Sequence, residues 1–280
     1  MIKTRRKMVF LILTMLILPL TLPVKSAYAV LDLEEGWLPE KPEWAPDFDT
    51  SASFLTQYIW RGQNLGSEPV MQYDANVSKW GFTFDFFVNY SLNNNKQIDN
   101  GLYQEITELD YTISYDFNVG EALEKMNMES PGIFDPVGIS LGYIYYTFPN
   151  QNWNELEVFD SHEIFLGASY DVLLQPFFTW YLDVDQGTGS YLQFGVGHTF
   201  EFEESGISAN VGTAFGYNYH QWTPEAGWSD VLLSGDVSIP IFNYFYITPS
   251  VGWSIILDPD TYEDAQKNEF YGGITFGFSY

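Results

Sequence analysis

Cysteine is absent from all 280 residues. That excludes disulfides, thiolate metal centres and thiol nucleophiles, and leaves the chain to be held together without covalent staples. Positive charge is nearly as scarce, with 11 Lys and Arg against 37 Asp and Glu. Long apolar runs are missing after the first thirty residues, so nothing there reads as a transmembrane helix.

Much of the positive charge sits at the start. Lys3, Arg5, Arg6 and Lys7 precede a largely apolar stretch from Met8 to Leu22, and Ala27-Tyr28-Ala29 follows with small-x-small spacing. This is the pattern of a signal peptide spanning residues 1–29. Cleavage after Ala29 also removes Lys25 and leaves 6 basic residues against 37 acidic ones, a formal net charge of −31. Such a chain cannot replace the counterions of a phosphate backbone, so nucleic acid is excluded as a partner. Residues 30–49, with Pro39, Pro42 and Pro46 among several acids, read as a periplasmic extension ahead of the main domain at 50–280.

What the chain has in abundance is aromatic surface, with 20 Tyr and 23 Phe, arranged with a period of two. Phe82, Phe84, Phe86, Val88 and Tyr90 alternate with Thr83, Asp85, Asn89 and Ser91, Phe87 being the exception. Leu109, Tyr111, Ile113 and Tyr115 alternate with Glu108, Asp110, Thr112 and Ser114. One face suits lipid and the other suits water. Twelve such segments are expected: 50–61, 69–78, 81–91, 104–116, 137–147, 161–170, 176–185, 190–200, 207–217, 228–238, 242–253 and 269–280. The expected fold is therefore all-β, a closed transmembrane antiparallel β-barrel of 12 strands with both ends periplasmic. The links alternate accordingly. Those on the periplasmic side are short, apart from 117–136, where Glu121–Met126 reads as a helical turn or two. Those on the outer side are mostly longer and more polar. Aromatics at strand ends, Tyr58, Trp60, Trp80, Tyr90, Tyr111, Tyr115, Tyr170 and Tyr280, are expected to form an interfacial girdle.

Two stretches resemble known sequences. The last segment, with Phe270, Ile274, Phe276, Phe278 and Tyr280 on one face, is similar to the terminal signal through which the barrel-assembly machinery recognises outer-membrane proteins. Ser53-Phe54-Leu55-Thr56-Gln57-Tyr58-Ile59-Trp60-Arg61-Gly62-Gln63, followed by Pro69-Val70-Met71-Gln72, resembles the aromatic-Arg-Gly hairpin of the TorF family of porins, with Trp60 standing where that family carries Phe. The resemblance covers some twenty residues and implies a porin-like barrel, with no narrower substrate.

The expected site is the lumen and its mouth. Arg61, the one arginine outside the signal, ends the first segment on the polar face, beside a wall carrying Asp74, Asp85, Glu108, Asp110, Glu163, Asp183, Asp230 and Asp236. An acid-lined passage favours cations, and a lone guanidinium among carboxylates would narrow it or fix the first hairpin. Phe87, Phe165, Phe177, Leu192 and Phe194 are expected near the inner face, packing the barrel shut or lining the path. His162, His198 and His220 are placed too far apart for a catalytic or metal site, so no enzyme activity and no cofactor is expected. A divalent ion at the outer loop through Asp258, Asp260, Glu263 and Asp264 is the weakest option, since the spacing lacks a calcium-loop glycine. The expected function is passive diffusion of small polar or cationic solutes. The alternative is a non-conducting structural or adhesion barrel acting through its outer loops, and in either case lipid and lipopolysaccharide are the surroundings.

Overall fold

The computed structural model describes residues 41–92, 105–149, 152–153, 156–157, 159–242, 244–262 and 265–280. The signal peptide and most of the 30–49 extension lie outside them. Trp44–Tyr280 forms one compact unit. In chain order its elements are β1 (Asp47–Leu55), β2 (Tyr58–Trp60), β3 (Gln63–Gly66), β4 (Val70–Lys79), β5 (Phe82–Ser91), β6 (Ile106–Asn118) and helix α1 (Val119–Lys125). They continue with β7 (Val137–Thr147), β8 (Asn152–Trp153), β9 (Leu156–Glu157), β10 (Ser161–Tyr170), β11 (Phe177–Asp183), β12 (Gly189–Phe202), β13 (Ile207–Tyr219), β14 (Ala226–Phe242), β15 (Phe245–Ile256) and β16 (Glu269–Ser279).

Twelve of the strands pair antiparallel around a closed circle, β1-β16-β15-β14-β13-β12-β11-β10-β7-β6-β5-β4 and back to β1. Closure matters physically because it leaves no sheet edge with unpaired backbone groups, the condition for crossing a bilayer with strands. β2–β3 and β8–β9 are two small two-stranded sheets that take no part in the circle.

The outer wall is apolar. Phe54, Tyr73, Phe84, Ile113, Leu166 and Val251 are all exposed there, in numbers that water would not tolerate on a monomer. Cross-strand rings tie the wall laterally, as in Phe82 with Tyr115 at 4.7 Å and Phe86 with Tyr111 at 5.1 Å, contacts worth roughly 0.5–1.5 kcal/mol each beyond burial.

The two ends differ. The end that holds the start of β1 and the end of β16 has tight links, among them Trp80-Gly81, where two successive positive φ values close a two-residue hairpin. It also carries α1, capped by the Asn118 side chain accepting from the Glu121 amide. This is the periplasmic end by the usual orientation of short turns and long outer loops. The helix forms where the Glu121–Met126 pattern points.

β1 departs from expectation in a way that matters. It begins at Asp47 and stops at Leu55, so Tyr58 and Trp60 do not continue the wall and do not join an interfacial girdle. Residues 56–69 instead turn inward as the β2–β3 hairpin, and Tyr58 is buried. The parity of β12 is a second correction. Tyr191, Gln193 and Gly195 face in, so Leu192 and Phe194 face out, Phe194 stacking on Phe215 at 5.5 Å.

Candidate functional site

The buried side chains of this barrel are mostly polar, and they gather at the outer mouth. Glu163, Tyr191, Asn218, Gln221, Ser161 and Ser229 are fully buried, and Glu108, Asp183 and Asp230 nearly so. What covers them is the β2–β3 hairpin.

The hairpin is a two-residue turn. Trp60 pairs with Gln63, and Arg61 and Gly62 between them adopt φ of +48° and +79°, the left-handed pair that such a turn requires. Gly62 is favoured on two counts, its φ and the space around it, since a Cβ there would lie 2.8 Å from the Tyr262 hydroxyl and 2.9 Å from the Asp230 Cβ. Tyr262, in a 3-10 turn at Pro259–Tyr262, donates to the Arg61 carbonyl at 2.7 Å. Burial, reinforced by the Asp230 carboxylate, pushes its phenol up, so it stays a neutral donor.

Arg61 therefore does not end a wall strand, as its sequence position suggests. It sits at the hairpin tip and reaches across the bore. Its guanidinium makes a two-pronged contact with Glu163 on β10 at 2.7 and 2.8 Å, and donates to Gln221 Oε1 in the β13–β14 link. Its guanidinium carbon lies 3.9 Å from the centre of the Tyr181 ring, 4.5 Å from that of Trp60 and 5.0 Å from that of Tyr191. In the circle β11 is diametrically opposite β1. Burial opposes the charge on Arg61, but the Glu163 carboxylate, through its hydrogen bonds and its charge, outweighs it and holds the group protonated.

The rest of the hairpin is fastened around the circumference. Gln57 and Asn64 bond Glu269 at 3.3 and 3.1 Å, Asn64 N bonds Gln266, and the Tyr58 ring meets Phe87 at 6.3 Å and its hydroxyl Glu108. Gln63 Nε2, Asp110 Oδ1, Asp85 Oδ2 and Ser254 Oγ are buried without a protein partner. The collar is thus bound by a few strong contacts rather than by complete pairing.

Below the hairpin the wall thins out. Phe165 lies on Gly142, Phe177 on Gly195, Tyr246 on Gly277 and Tyr271 on Gly252, in each case directly across the strand pair. A ring laid flat on a residue without a side chain takes little of the bore. Phe165 and Phe177 are thus on the inner face, each lying over a glycine. Toward the periplasm a cavity of about 840 Å³ is lined by Ser140, Ser169, Phe177 and Thr179, with Asn118 and Glu121 at its rim.

The strand register puts the acids named from sequence on the inner face. Asp74, Asp85, Glu108 and Asp110 occupy β4, β5 and β6, Glu163 and Asp183 lie on β10 and β11, and Asp230 and Asp236 on β14. Only some of them meet. Asp74 and Asp85 touch, Glu163 holds Arg61, Asp183 accepts from Ser161 at 2.9 Å, Asp230 from Tyr191 at 3.0 Å and Asp236 from Asn210 at 2.8 Å. Gln221, Tyr181 and Tyr191 were missed: Tyr181 alternates in phase with Asp183, whereas the expectation of Leu192 and Phe194 inside turned Tyr191 outward. Gln221 lies in a loop, where periodicity gives no signal.

The three histidines do not meet. His162 stacks on Tyr145 outside the wall, His198 bonds the Leu173 carbonyl and His220 that of Pro224. Among the described residues no cluster of three or more acidic or histidine side chains is arranged to hold a metal. Asp258 Oδ1 accepts from the Asp260 amide, and Glu263 and Asp264 lie outside the described residues.

No protein-family model matches the chain, and no curated protein matches it. The TorF-type resemblance therefore stands on residues 53–72 alone. Solved structures do match. A porin structure, NanC, aligns at a TM-score of 0.47 and 10% identity over 83% of this chain and 98% of that one. An outer-membrane channel from Pseudomonas putida F1 aligns at a TM-score of 0.53 and 8% identity, over 89% of this chain and all of that one. The fold is that of a multi-pass outer-membrane β-barrel, and the apolar outer wall is where such a barrel meets lipid.

Proposed function

We propose that the protein is a diffusion channel for small polar or cationic solutes, narrowed at its outer mouth by its own β2–β3 hairpin. The observation that carries this reading is the contrast along one bore. At the periplasmic end a cavity of about 840 Å³ lies beside α1, and at the outer mouth stands a collar where inward carboxylates outnumber the single guanidinium. Carboxylates on a low-dielectric wall concentrate cations and repel anions. The TorF-type resemblance and the Pseudomonas putida F1 channel that shares the fold point the same way. Export by a signal peptide and handling of β16 by the barrel-assembly machinery belong to the same proposal.

A second reading has one observation in its favour, since the hairpin occupies the outer mouth and leaves a barrel that works through its outer loops. Planar-bilayer recordings of refolded protein separate the two. Conductance steps, with a reversal potential favouring cations at low salt, are expected. Their complete absence would leave the loop-acting barrel, and anion preference at low salt would remove the cationic version.

A further inference from the structure

The pocket that receives Arg61 is built from the wall and not from the hairpin. Glu163 presents both oxygens from β10, steadied by the Tyr146 hydroxyl at 3.1 Å. Gln221 adds a carbonyl oxygen, and its own backbone is clamped from both sides by Asn218, which accepts from the Gln221 amide at 2.7 Å and donates to its carbonyl at 3.0 Å. Tyr181 and Tyr191 supply ring faces. Only Trp60 travels with the hairpin. A buried carboxylate, an amide oxygen and two rings recognise one kind of group, a flat delocalised cation that donates several N–H bonds in a plane. A compact ammonium satisfies the charge but neither the fork nor the faces. A neutral solute leaves Glu163 uncompensated.

We infer that this pocket is a binding site for guanidinium-bearing solutes, in which Arg61 is the resident stand-in and a solute guanidinium exchanges with it. Exchange keeps Glu163 paired throughout, whereas withdrawal of Arg61 with nothing to replace it leaves a buried carboxylate alone, the costlier path. Solutes of this class therefore release the hairpin more readily than other cations do. The inference rests on the channel reading for where the solute goes next, but binding itself does not depend on conductance.

The test uses methylguanidinium as probe and the full mature chain refolded in detergent, with intrinsic tryptophan fluorescence as readout and methylammonium at matched ionic strength as control. Arg61→Ala empties the pocket and is expected to show saturable binding at concentrations on the order of millimolar, and wild type, where the probe must displace Arg61, the same binding shifted to higher concentration. Adding Glu163→Gln is expected to weaken that binding at least about tenfold. In bilayers, methylguanidinium is expected to reduce the Arg61→Ala potassium current more than methylammonium does. Should Arg61→Ala fold poorly, Arg61→Met keeps the aliphatic stem and answers the same question. Equal responses to the two probes, or binding indifferent to Glu163→Gln, overturn the inference. Loss of all conductance with probe binding intact would overturn the channel and leave the pocket.

Discussion

The outer and periplasmic halves of the same bore solve opposite problems. At the outer end the inward side chains are large, polar and buried, and the chain folds back on itself so that Arg61 spans to the far wall. At the periplasmic end Ser140, Gly167, Ser169 and Thr179 border a cavity of about 840 Å³, and the Phe177 and Tyr246 rings lie over glycines. On the channel reading, the difference teaches where control of passage lies. A barrel's hydrogen-bonded wall is rigid and cannot adjust cheaply, whereas a hairpin held by side-chain contacts can come and go.

Removing the strongest of those contacts should blur the contrast most. Glu163→Ala leaves Arg61 as a buried charge without its partner, a loss of about 3–5 kcal/mol in comparable pairs. The chain escapes that cost by undocking the hairpin. Expected are a large rise in single-channel conductance and new protease cleavage within residues 56–69, while the barrel itself keeps its resistance to unfolding in detergent. Unchanged conductance would mean that the hairpin is not the narrow point.

The wall was legible in the sequence because a period of two is a strong signal over ten residues. β5, β7 and β10 fall within a residue of their expected limits, and the inner acids follow from parity alone. The collar was not legible. Nothing in Ser53–Gln63 marks Leu55 as the end of the wall, because Tyr58 and Trp60 keep the same alternation while changing from the barrel to the hairpin inside it. The Arg61-Gly62 pair was a clue to a turn, but its contact with Glu163 lies 102 positions away and depends on closure of the whole circle. Leu192 and Phe194 failed for a related reason. In a strand where Gly195 and Gly197 hold inward places, the eye assigns the bulky residues to the core, whereas in a barrel the bulk belongs outside.

Gly62→Ala probes the same docking more gently. The new methyl group must adopt φ near +79° and push against Tyr262 and Asp230, so the docked hairpin should lose roughly 1–2 kcal/mol. Conductance should rise less than in Glu163→Ala, with more frequent open periods and unchanged selectivity. The same substitution at Gly66, where a Cβ finds ordinary contact distances of 3.7 and 3.8 Å and φ is not positive, should change little.

The open half can be tested in the other direction. Gly142→Val places a branched side chain where the Phe165 ring now lies, and the Ile113 carbonyl 3.0 Å from the new Cβ blocks retreat into the wall. The ring must swing toward the axis. Single-channel conductance should fall modestly in Gly142→Val, and recover in the double variant with Phe165→Ala, which removes the displaced ring. No recovery would show that the loss came from the strand pairing and not from the bore.

The smallest effect is expected from the acids that neither half uses for docking. Asp74 and Asp85 touch on the inner face between the two regions, away from Arg61. Converting both to Asn removes charge without removing bulk, so conductance at high salt should stay as it was while cation preference at low salt declines. The salt dependence is the informative part. A field from wall carboxylates reaches about 10 Å at 0.1 M salt and only about 3 Å at 1 M, so the two proteins should converge as salt is raised. If selectivity differs equally at both salt levels, Asp74 and Asp85 act by direct contact with the ion, and the narrow part of the path extends from the hairpin down to β4 and β5.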